Sequence, residues 1–335
     1  MHVGIAGYRG AGKTTVFNCL TGSSAATGLG GGGRDVNRSV IKVPDERIDK
    51  LSDLFRPKKT TYADMAFVDM PGPTDAGAEP KDHIDAHAAA ELRKHDALVA
   101  VVRAFGTETA YPPRGGKVDA GRDLADFDEE LVLFDLMVLE KRLERLRKEK
   151  GGKAEQERLE ALHKELEDGA RPARVLGLDA QTLEAVSGFQ LLSLKPVLAL
   201  VNLPDDATAA EAAQIEAELA ARVKDRGIEV MGLRAKLELE IGELPPEDAA
   251  GFLAELGLTE SARSRFIRRC YAMLDLISFF TVGEDEVRAW TIPRGTPAVR
   301  AAGKIHSDLE RGFIRAETIA YGDFIAVCGH DRALS

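Results

Sequence analysis

The feature that most constrains the fold lies near the start of the chain, where residues 2–20 read HVGIAGYRGAGKTTVFNCL. Residues 3–6 are a short apolar run typical of a buried strand, and Val16 and Leu20 repeat at helical spacing. Between them, residues 7–14 match the pattern G-x-x-x-x-G-K-[ST] at every position. A strand, a glycine-rich loop and a helix in this order are typical of a phosphate-binding loop; the alternative is a glycine-rich turn that binds nothing.

The residue types in this loop suit a nucleotide polyphosphate. Glycines allow backbone N–H groups to point inward at phosphate oxygens, and the following helix adds its N-terminal dipole. Lys13 is placed to reach the β- and γ-phosphates and to neutralise their charge, and the Thr14 hydroxyl is placed to hold Mg²⁺. The sequence therefore predicts nucleotide binding, with Lys13 as a catalytic group and Thr14 as a metal ligand.

A second strand end carries the next predicted site residues. Residues 66–72 read AFVDMPG, an apolar strand that ends at Asp69 and continues as D-x-x-G. Asp69 can accept hydrogen bonds from the hydration shell of Mg²⁺, and the N–H of Gly72 is suited to sensing a γ-phosphate. The pattern is weak alone, but here it follows a complete phosphate-binding loop and lies on a strand end.

Two further apolar runs predict buried strands, at residues 97–102 and 195–201, and the second ends at Asn202. Strands that alternate with helices favour a mostly parallel sheet covered by helices, and ligands bind beyond the carboxyl ends of such strands. The phosphate-binding loop, Asp69 and Asn202 all lie at such ends. The predicted fold class is therefore α/β, the nucleotide-binding G domain of a P-loop NTPase.

The next segment predicts an antiparallel helical hairpin inserted into this domain. Gly151 and Gly152 interrupt a pattern of apolar residues that step by three and four: Val132, Leu136, Leu139, Leu143, Leu146, then Leu159, Leu162 and Leu166. Such spacing is typical of a coiled-coil seam. The hairpin tip is basic, and either contacts RNA or is a solvated surface; its cations are Lys141, Arg142, Arg145, Arg147, Lys148, Lys150 and Lys153.

The tail changes character from about Leu276 and predicts a small α+β module. Two half-buried strands flank a turn at residues 283–286, a short helix follows at 298–304, and residues 313–317 return to a strand. We therefore expect three domains. They are a nucleotide-binding domain (1–125 and 170–275), the inserted hairpin (126–169) and the C-terminal module (276–335).

Composition excludes other classes of protein. The net charge of −10 argues against general nucleic-acid binding, so any RNA contact requires local basic patches. No apolar run is long enough to span a membrane, and a strand that begins at Val3 leaves no room for a secretion signal. Cys19, Cys270 and Cys328 lie far apart, which favours free thiols in a reducing compartment. We expect a cytoplasmic protein without membrane partners.

The ordered features resemble the Obg-like ATPase (YchF) family of translation-associated P-loop proteins. The resemblance covers nearly the whole chain and is most specific in six segments, at residues 43–47, 55–59, 67–69, 171–174, 286–291 and 305–317. The last two look like the TGS module of that family, a small β-grasp-like fold. The chain ends at Ser335, short of that module's last strands, so we expect the module to be incomplete or the chain truncated.

This resemblance implies an activity and a set of site residues. It implies slow hydrolysis of the β–γ phosphoanhydride bond with Mg²⁺ as cofactor, and binding of ribosomes or RNA through the hairpin and the TGS-like module. It also implies that Asn202 and Leu203 line the base and that Thr14 ligates Mg²⁺. The phosphates would be held by Gly10, Ala11, Gly12, Lys13, Thr14 and Thr15.

Two departures from the family pattern leave the hydrolytic step open. The threonine expected in the switch segment is absent from residues 33–39, where Ser39 and Asp35 are weak substitutes. The histidine expected shortly after residues 101–105 is also missing, so the sequence identifies no residue that positions the attacking water. The alternative function is therefore a nucleotide-gated binding module that has lost efficient hydrolysis.

The identity of the base rests on residues 202–205, which read N-x-x-D. GTPases of this class use N-K-x-D, in which the aspartate accepts from guanine and the lysine packs along the base. Here Leu203 replaces the lysine while Asp205 remains, and the resemblance implies ATP. Because a site built to hydrogen-bond one base rejects another, ATP is favoured and guanine recognition by Asp205 stays open.

Overall fold

The chain folds into two compact units, which are described in turn. The structure is a computed structural model that describes residues 1–25, 37–70, 84–106, 116–149, 152–255, 257–258 and 260–333. The first unit comprises Met1–Ile41 and Met65–Met273, and the second comprises Lys42–Asp64 and Leu274–Ser335.

The strands and helices are numbered along the whole chain. The strands are β1 (His2–Ala6), β2 (Asn37–Lys42), β3 (Lys59–Thr61), β4 (Asp64–Asp69), β5 (Ala97–Arg103), β6 (Val197–Asn202), β7 (Ile228–Leu233), β8 (Leu276–Thr281) and β9 (Glu286–Pro293). The helices are α1 (Lys13–Thr21), α2 (Glu46–Phe55), α3 (Ala86–Leu92), α4 (Ala120–Glu149), α5 (Lys153–Gly169), α6 (Ala180–Val186), α7 (Ala209–Val223), α8 (Ala235–Gly242), α9 (Pro246–Glu255), α10 (Ala262–Met273), α11 (Ala298–Ile305), α12 (Ser307–Arg311) and α13 (Tyr321–Ala333). None of the helices among the described residues is long and apolar enough to cross a membrane.

The first unit is organised around a sheet with strand order β2-β4-β1-β5-β6-β7. β1 pairs in parallel with β4 and β5, β5 pairs in parallel with β6, and β6 with β7. Every residue of β5 and β6 is buried, as expected of central parallel strands covered on both faces. Ile5 is in register with Asp69, and Arg103 with Asn202, so the strand ends meet at one edge. The α/β prediction is confirmed.

Helices cover both faces of this sheet because successive strand residues point in opposite directions. On one face, Val68 of β4 joins a core cluster with residues of α3, α4 and α7. On the other face, the ring of Phe67 packs against Phe266 of α10 with centroids 5.4 Å apart. α1 contacts both α8 and α10. The helix that follows the phosphate-binding loop is thus fixed by packing as well as by its connection to β1.

The predicted helical hairpin is present and consists of α4 and α5. Its apolar seam is buried, including Leu139, Leu143, Leu146, Leu159, Leu162 and Leu166. Glu140 of α4 lies 3.4 Å from His163 late in α5, whereas Arg142 bonds Glu155 early in α5 at 2.8 Å, as antiparallel helices require. α4 begins at Ala120, before the predicted boundary at 126.

Two buried carboxylates anchor α4 to the first unit below the hairpin. Asp128 is fully buried and accepts from Arg174 and from the Nε of Arg226, the latter at 2.6 Å. Asp135, two turns further on, is also fully buried and accepts from the backbone N–H groups of residues 192–193 at 2.8 and 2.7 Å. Residues 171–174, which read RPAR, therefore end at Arg174, which pairs with Asp128 of α4.

The second unit contains a smaller sheet of order β3-β9-β8. β8 and β9 form an antiparallel hairpin, which confirms the turn predicted at residues 283–286. β3 pairs in parallel with β9, with Thr60 opposite Val287. Residues 42–64 therefore fold with the tail, whereas the sequence analysis placed them in the nucleotide-binding domain. Asp45 starts α2 by accepting the backbone N–H of Arg47 at 3.0 Å, which explains the V-P-D segment.

One prediction for the tail is wrong. Residues 313–317 are not a strand, because residues 313–320 run irregularly between α12 and α13. The alternating apolar and polar side chains of this segment do not pack on an apolar surface, since Ile314 is 91% exposed. Strand propensity is realised only when side chains pack on a neighbouring surface. The helix predicted at 298–304 is confirmed as α11.

Candidate nucleotide-binding site

The loop between β1 and α1 has a backbone that requires glycine. Gly7, Gly10 and Gly12 have φ values of +145°, +77° and +87°, which L side chains rarely adopt. A Cβ on Gly7 would lie 2.3 Å from the carbonyl oxygen of Val101, and one on Gly12 would lie 2.2 Å from Nδ2 of Asn202. The glycines thus allow the loop to close over the ends of β5 and β6.

α1 begins directly behind this loop with its first turn open to a ligand. Its N-cap is Gly12, which offers no side chain to cap the helix. The first N–H groups of a helix have no partners within the helix, and the helix dipole favours an anion there. The loop and the first turn of α1 therefore supply backbone donors that suit phosphate oxygens.

Lys13 is buried inside the loop. Its Nζ donates to the carbonyl oxygens of Gly7 at 2.9 Å and Tyr8 at 3.0 Å. Burial lowers the pKa of Lys13 to about 8, while the nearby carboxylate of Asp69 acts in the opposite direction and Arg9 adds to the lowering. A phosphate anion would compensate the cation for its lost hydration, so the side chain is poised for an anionic ligand.

Asp69 lies beside the start of α1, at the end of β4. Its Oδ2 accepts from the hydroxyl of Thr14 at 3.0 Å and from Nδ2 of Asn37 at 3.2 Å. Burial raises the pKa of its carboxyl, and the hydrogen bond from Asn37, the charge of Lys13 and the hydrogen bond from Thr14 oppose this rise. Its Oδ1 is buried without a hydrogen-bond partner in the described part of the chain. A hydroxyl and a carboxylate are hard oxygen donors, so this pair fits Mg²⁺.

Asn202 connects three loops at the edge of the sheet. Its Nδ2 donates to the carbonyl oxygen of Ala11 at 3.1 Å, and its Oδ1 accepts the N–H of Ala235 at 3.3 Å. The loop after β7 was missed by the sequence analysis. Arg234 of that loop is buried and donates from Nη1 to the carbonyl oxygen of Ala207 at 3.0 Å, which braces the loop after β6. The mostly apolar segment at residues 228–233, which reads IEVMGL, is the sequence signal for this strand end.

The two predicted base residues differ in their surroundings. The side chain of Leu203 is 3% exposed and belongs to the core cluster, where its Cδ1 would contact a Cβ placed on Gly232. A base at this edge would therefore meet the backbone of Leu203 rather than its side chain, and its place at the base stays a prediction. Asp205 is exposed, and its Oδ2 lies 3.8 Å from Nζ of Lys236.

The remaining predicted site residues fall into two groups. Gly72 and Asp35 lie outside the described residues. Ser39 is described, and its hydroxyl lies 3.2 Å from the hydroxyl of Ser23 rather than at Asp69. The described residues contain no group of three or more His, Cys, Asp or Glu side chains suited to a metal ion. Among the described residues, Thr14 and Asp69 are therefore the candidate ligands for a cation.

Comparison with known proteins agrees with this geometry. Residues 2–141 match a family described as 50S ribosome-binding GTPase, and residues 276–334 match YchF-GTPase_C, described as a protein of unknown function. The chain is 37% identical over 333 residues to the ribosome-binding ATPase YchF of Bacillus subtilis, covering 96% of this chain and 89% of that relative. The chain belongs to the YchF family.

Other members of the YchF family match over similar lengths. The ribosome-binding ATPase YchF of Haemophilus influenzae is 37% identical over 336 residues, covering 98% of this chain and 91% of the relative. The solved structure of the Schizosaccharomyces pombe YchF GTPase superposes with a TM-score of 0.81 at 28% identity, covering all of this chain and 92% of that one. The resemblance inferred from the sequence is thereby confirmed.

Proposed function

We propose that this chain is a Mg²⁺-dependent switch that binds ATP, hydrolyses it slowly and engages ribosomes in the cytoplasm. The observation that carries the proposal is the complete phosphate-binding loop, in which Lys13 is buried beside the Thr14–Asp69 pair. The names of the bacterial relatives, ribosome-binding ATPases, support both the nucleotide and the partner.

The mechanism follows from positioning and charge. Gly10–Thr15 would hold the phosphates through backbone N–H groups, and Lys13 would neutralise the charge that develops on the transferred phosphoryl group. Thr14 would ligate Mg²⁺ directly and Asp69 through water, and the ion supplies further charge neutralisation when it is bound. We assign γ-phosphate sensing to Gly72. The sequence lacks a histidine shortly after residues 101–105, where the family has its catalytic histidine, so we propose slow hydrolysis.

ATP is the proposed nucleotide because the guanine-reading pattern is incomplete. Leu203, in the lysine position of N-K-x-D, is buried in the core, and Asp205 faces Lys236. To recognise guanine, the carboxylate of Asp205 would have to leave Lys236 and accept hydrogen bonds from the base. An alternative is therefore GTP, in which Asp205 turns inward to accept from the guanine ring.

Calorimetric titration with non-hydrolysable ATP and GTP analogues tests this choice. We expect the ATP analogue to bind at least about tenfold more tightly, because a mismatched base leaves polar groups unpaired. The Asp205→Ala variant should bind the ATP analogue as the unchanged protein does. Tighter binding of the GTP analogue, lost in Asp205→Ala, would show that this chain is a GTPase.

The tip of the helical hairpin is the proposed contact with ribosomal RNA, together with the TGS-like module. Two of its cations are already paired: Arg142 bonds Glu155 at 2.8 Å, and Arg147 bonds Glu160 at 3.1 Å. Other basic residues of the tip are exposed and form no ion pair within the described chain, namely Lys141, Arg145, Lys148 and Lys153. These unpaired cations are the ones that can bind phosphates.

Neutralising three of these cations should weaken ribosome binding. We expect a variant with Lys141, Arg145 and Lys148 replaced by glutamine to co-sediment with ribosomes at least about tenfold more weakly, with a shallower salt dependence, because phosphate contacts release counterions. A control variant removes the same charge elsewhere on the first unit, at the exposed residues Lys164, Arg171 and Lys224. Equal losses in both variants would show that total charge, rather than the tip, governs binding.

A further inference from the structure

The carboxylate of Asp69 is held by side chains from two elements. Thr14, in the first turn of α1, and Asn37, the first residue of β2, both donate to Oδ2, at 3.0 and 3.2 Å. Two donors that converge on one oxygen from different elements restrict rotation of the carboxylate. The direction of the second oxygen, Oδ1, is therefore set as well.

The other carboxylate oxygen of Asp69, Oδ1, is buried without a hydrogen-bond donor among the described residues. Asp69 is 4% exposed, and this oxygen has no hydrogen-bond partner within the described part of the chain. A buried carboxylate oxygen without a donor carries the desolvation cost of a charged acceptor, so such groups are rare unless a ligand completes them. The hydrated cation proposed for this site would supply water donors at that position.

Asn37 is the residue of β2 that reaches this carboxylate. Ser39, two residues further along the same strand, pairs its hydroxyl with that of Ser23 instead. The contact from Asn37 comes from a neutral amide, which holds the carboxylate oxygen without adding a second cation that would compete with the metal. The sequence pattern indicated Ser39 and Asp35 for this part of the site and gave no sign of Asn37.

We propose that Asn37 is a positioning residue of the magnesium site. Its amide keeps Oδ2 of Asp69 engaged, so that Oδ1 is directed at the hydration shell of the ion ligated by Thr14. This inference rests on the proposed Mg²⁺-dependent nucleotide binding. It assigns β2 a role in metal affinity, and it gives Asn37 no contact with the phosphates or the base.

Removing the amide of Asn37 should weaken the binding of Mg²⁺ and leave the Mg²⁺-independent affinity for the nucleotide unchanged. Replacing a residue that orients a metal ligand typically lowers metal affinity by about 10–100-fold. We therefore expect Asn37→Ala to raise the Mg²⁺ concentration that half-saturates nucleotide binding by about tenfold or more. Its affinity for the nucleotide in the presence of EDTA should equal that of the unchanged protein.

The test is a Mg²⁺ titration of the full chain with a fluorescent, non-hydrolysable ATP analogue, followed by a nucleotide titration in EDTA. Asn37→Leu, which retains the branched side-chain shape without the donor, serves as a second variant if Asn37→Ala fails to fold. Arg38→Ala is the matched control, because it removes a side chain of the same strand that pairs with Glu91 at 2.9 Å, away from Asp69. It should leave the Mg²⁺ dependence unchanged.

The outcomes separate this inference from the function on which it rests. If the unchanged protein binds the nucleotide equally with and without Mg²⁺, the proposed metal-dependent function fails. If the unchanged protein depends on Mg²⁺ and the Asn37 variants show the same half-saturating concentration, only the role of Asn37 is overturned. Equal losses of affinity in Mg²⁺ and in EDTA would likewise overturn it, because they would indicate general damage to the loop.

Discussion

Replacing Lys13 by alanine will lower nucleotide affinity by about a hundredfold or more. Truncating one member of a buried, hydrogen-bonded charge pair costs about 2–5 kcal/mol, and about 1.4 kcal/mol is a factor of ten. Lys13 is 9% exposed, so a bound polyphosphate facing an alanine would lose its nearest buried cation. Isothermal titration with a non-hydrolysable ATP analogue measures this loss directly.

Lys13 also bonds two carbonyl oxygens of its own loop, so the variant needs a structural control. Lys13→Met retains most of the aliphatic stem and removes only the charge and its donors. We expect the same loss of affinity in Lys13→Met, with a thermal unfolding midpoint close to that of the unchanged protein. Nucleotide affinity that survives in Lys13→Met would contradict the assignment of this loop as the phosphate site.

The parts of the site that sequence reasoning could predict are encoded locally. The phosphate-binding loop is one contiguous segment, and its glycines are required by backbone angles that the pattern itself implies. Asp69 and Asn202 were predictable because apolar strands end at both residues and parallel strands bring their carboxyl ends together. The hairpin seam followed from leucine spacing, which depends only on helical geometry.

The parts that were not predicted depend on contacts distant in sequence. Thr60 pairs with Val287, so residues 42–64 belong to the second unit although the chain passes through them between two strands of the first. The burial of the Leu203 side chain beside Gly232, on the neighbouring strand, could not be inferred from the local sequence, which gave only its resemblance to a base-lining residue. Asn37 stood at the edge of a glycine-rich stretch, and nothing local indicated that its amide meets Asp69.

Asp128 is another residue whose surroundings depend on contacts distant in sequence. An acidic residue on a helix rich in charged residues is expected to be exposed to solvent. In the structure Asp128 is fully buried and pairs with Arg174 and Arg226, whose side chains are 7% and 22% exposed. Asp128→Ala should therefore lower the free energy of unfolding by about 3–5 kcal/mol, since it leaves a buried guanidinium uncompensated. Urea unfolding monitored by circular dichroism measures this change, with Glu129→Ala, an exposed neighbour on the same helix, as control.

A double variant shows whether the loss in Asp128→Ala arises from stranded charge or from a missing contact. Replacing a buried ion pair by apolar residues of similar volume is often neutral or stabilising, whereas removing one partner is costly. We therefore expect Asp128→Leu combined with Arg174→Met to recover much of the stability lost in Asp128→Ala, because Arg226 is exposed enough to turn to solvent. A double variant as unstable as Asp128→Ala would indicate that the hydrogen bonds of Arg174 to the carbonyl oxygens of Arg226 and Ser193 carry the anchoring of α4. The position of the hairpin would then depend on these two hydrogen bonds from Arg174 to the backbone, and ribosome binding in that variant should fall together with stability.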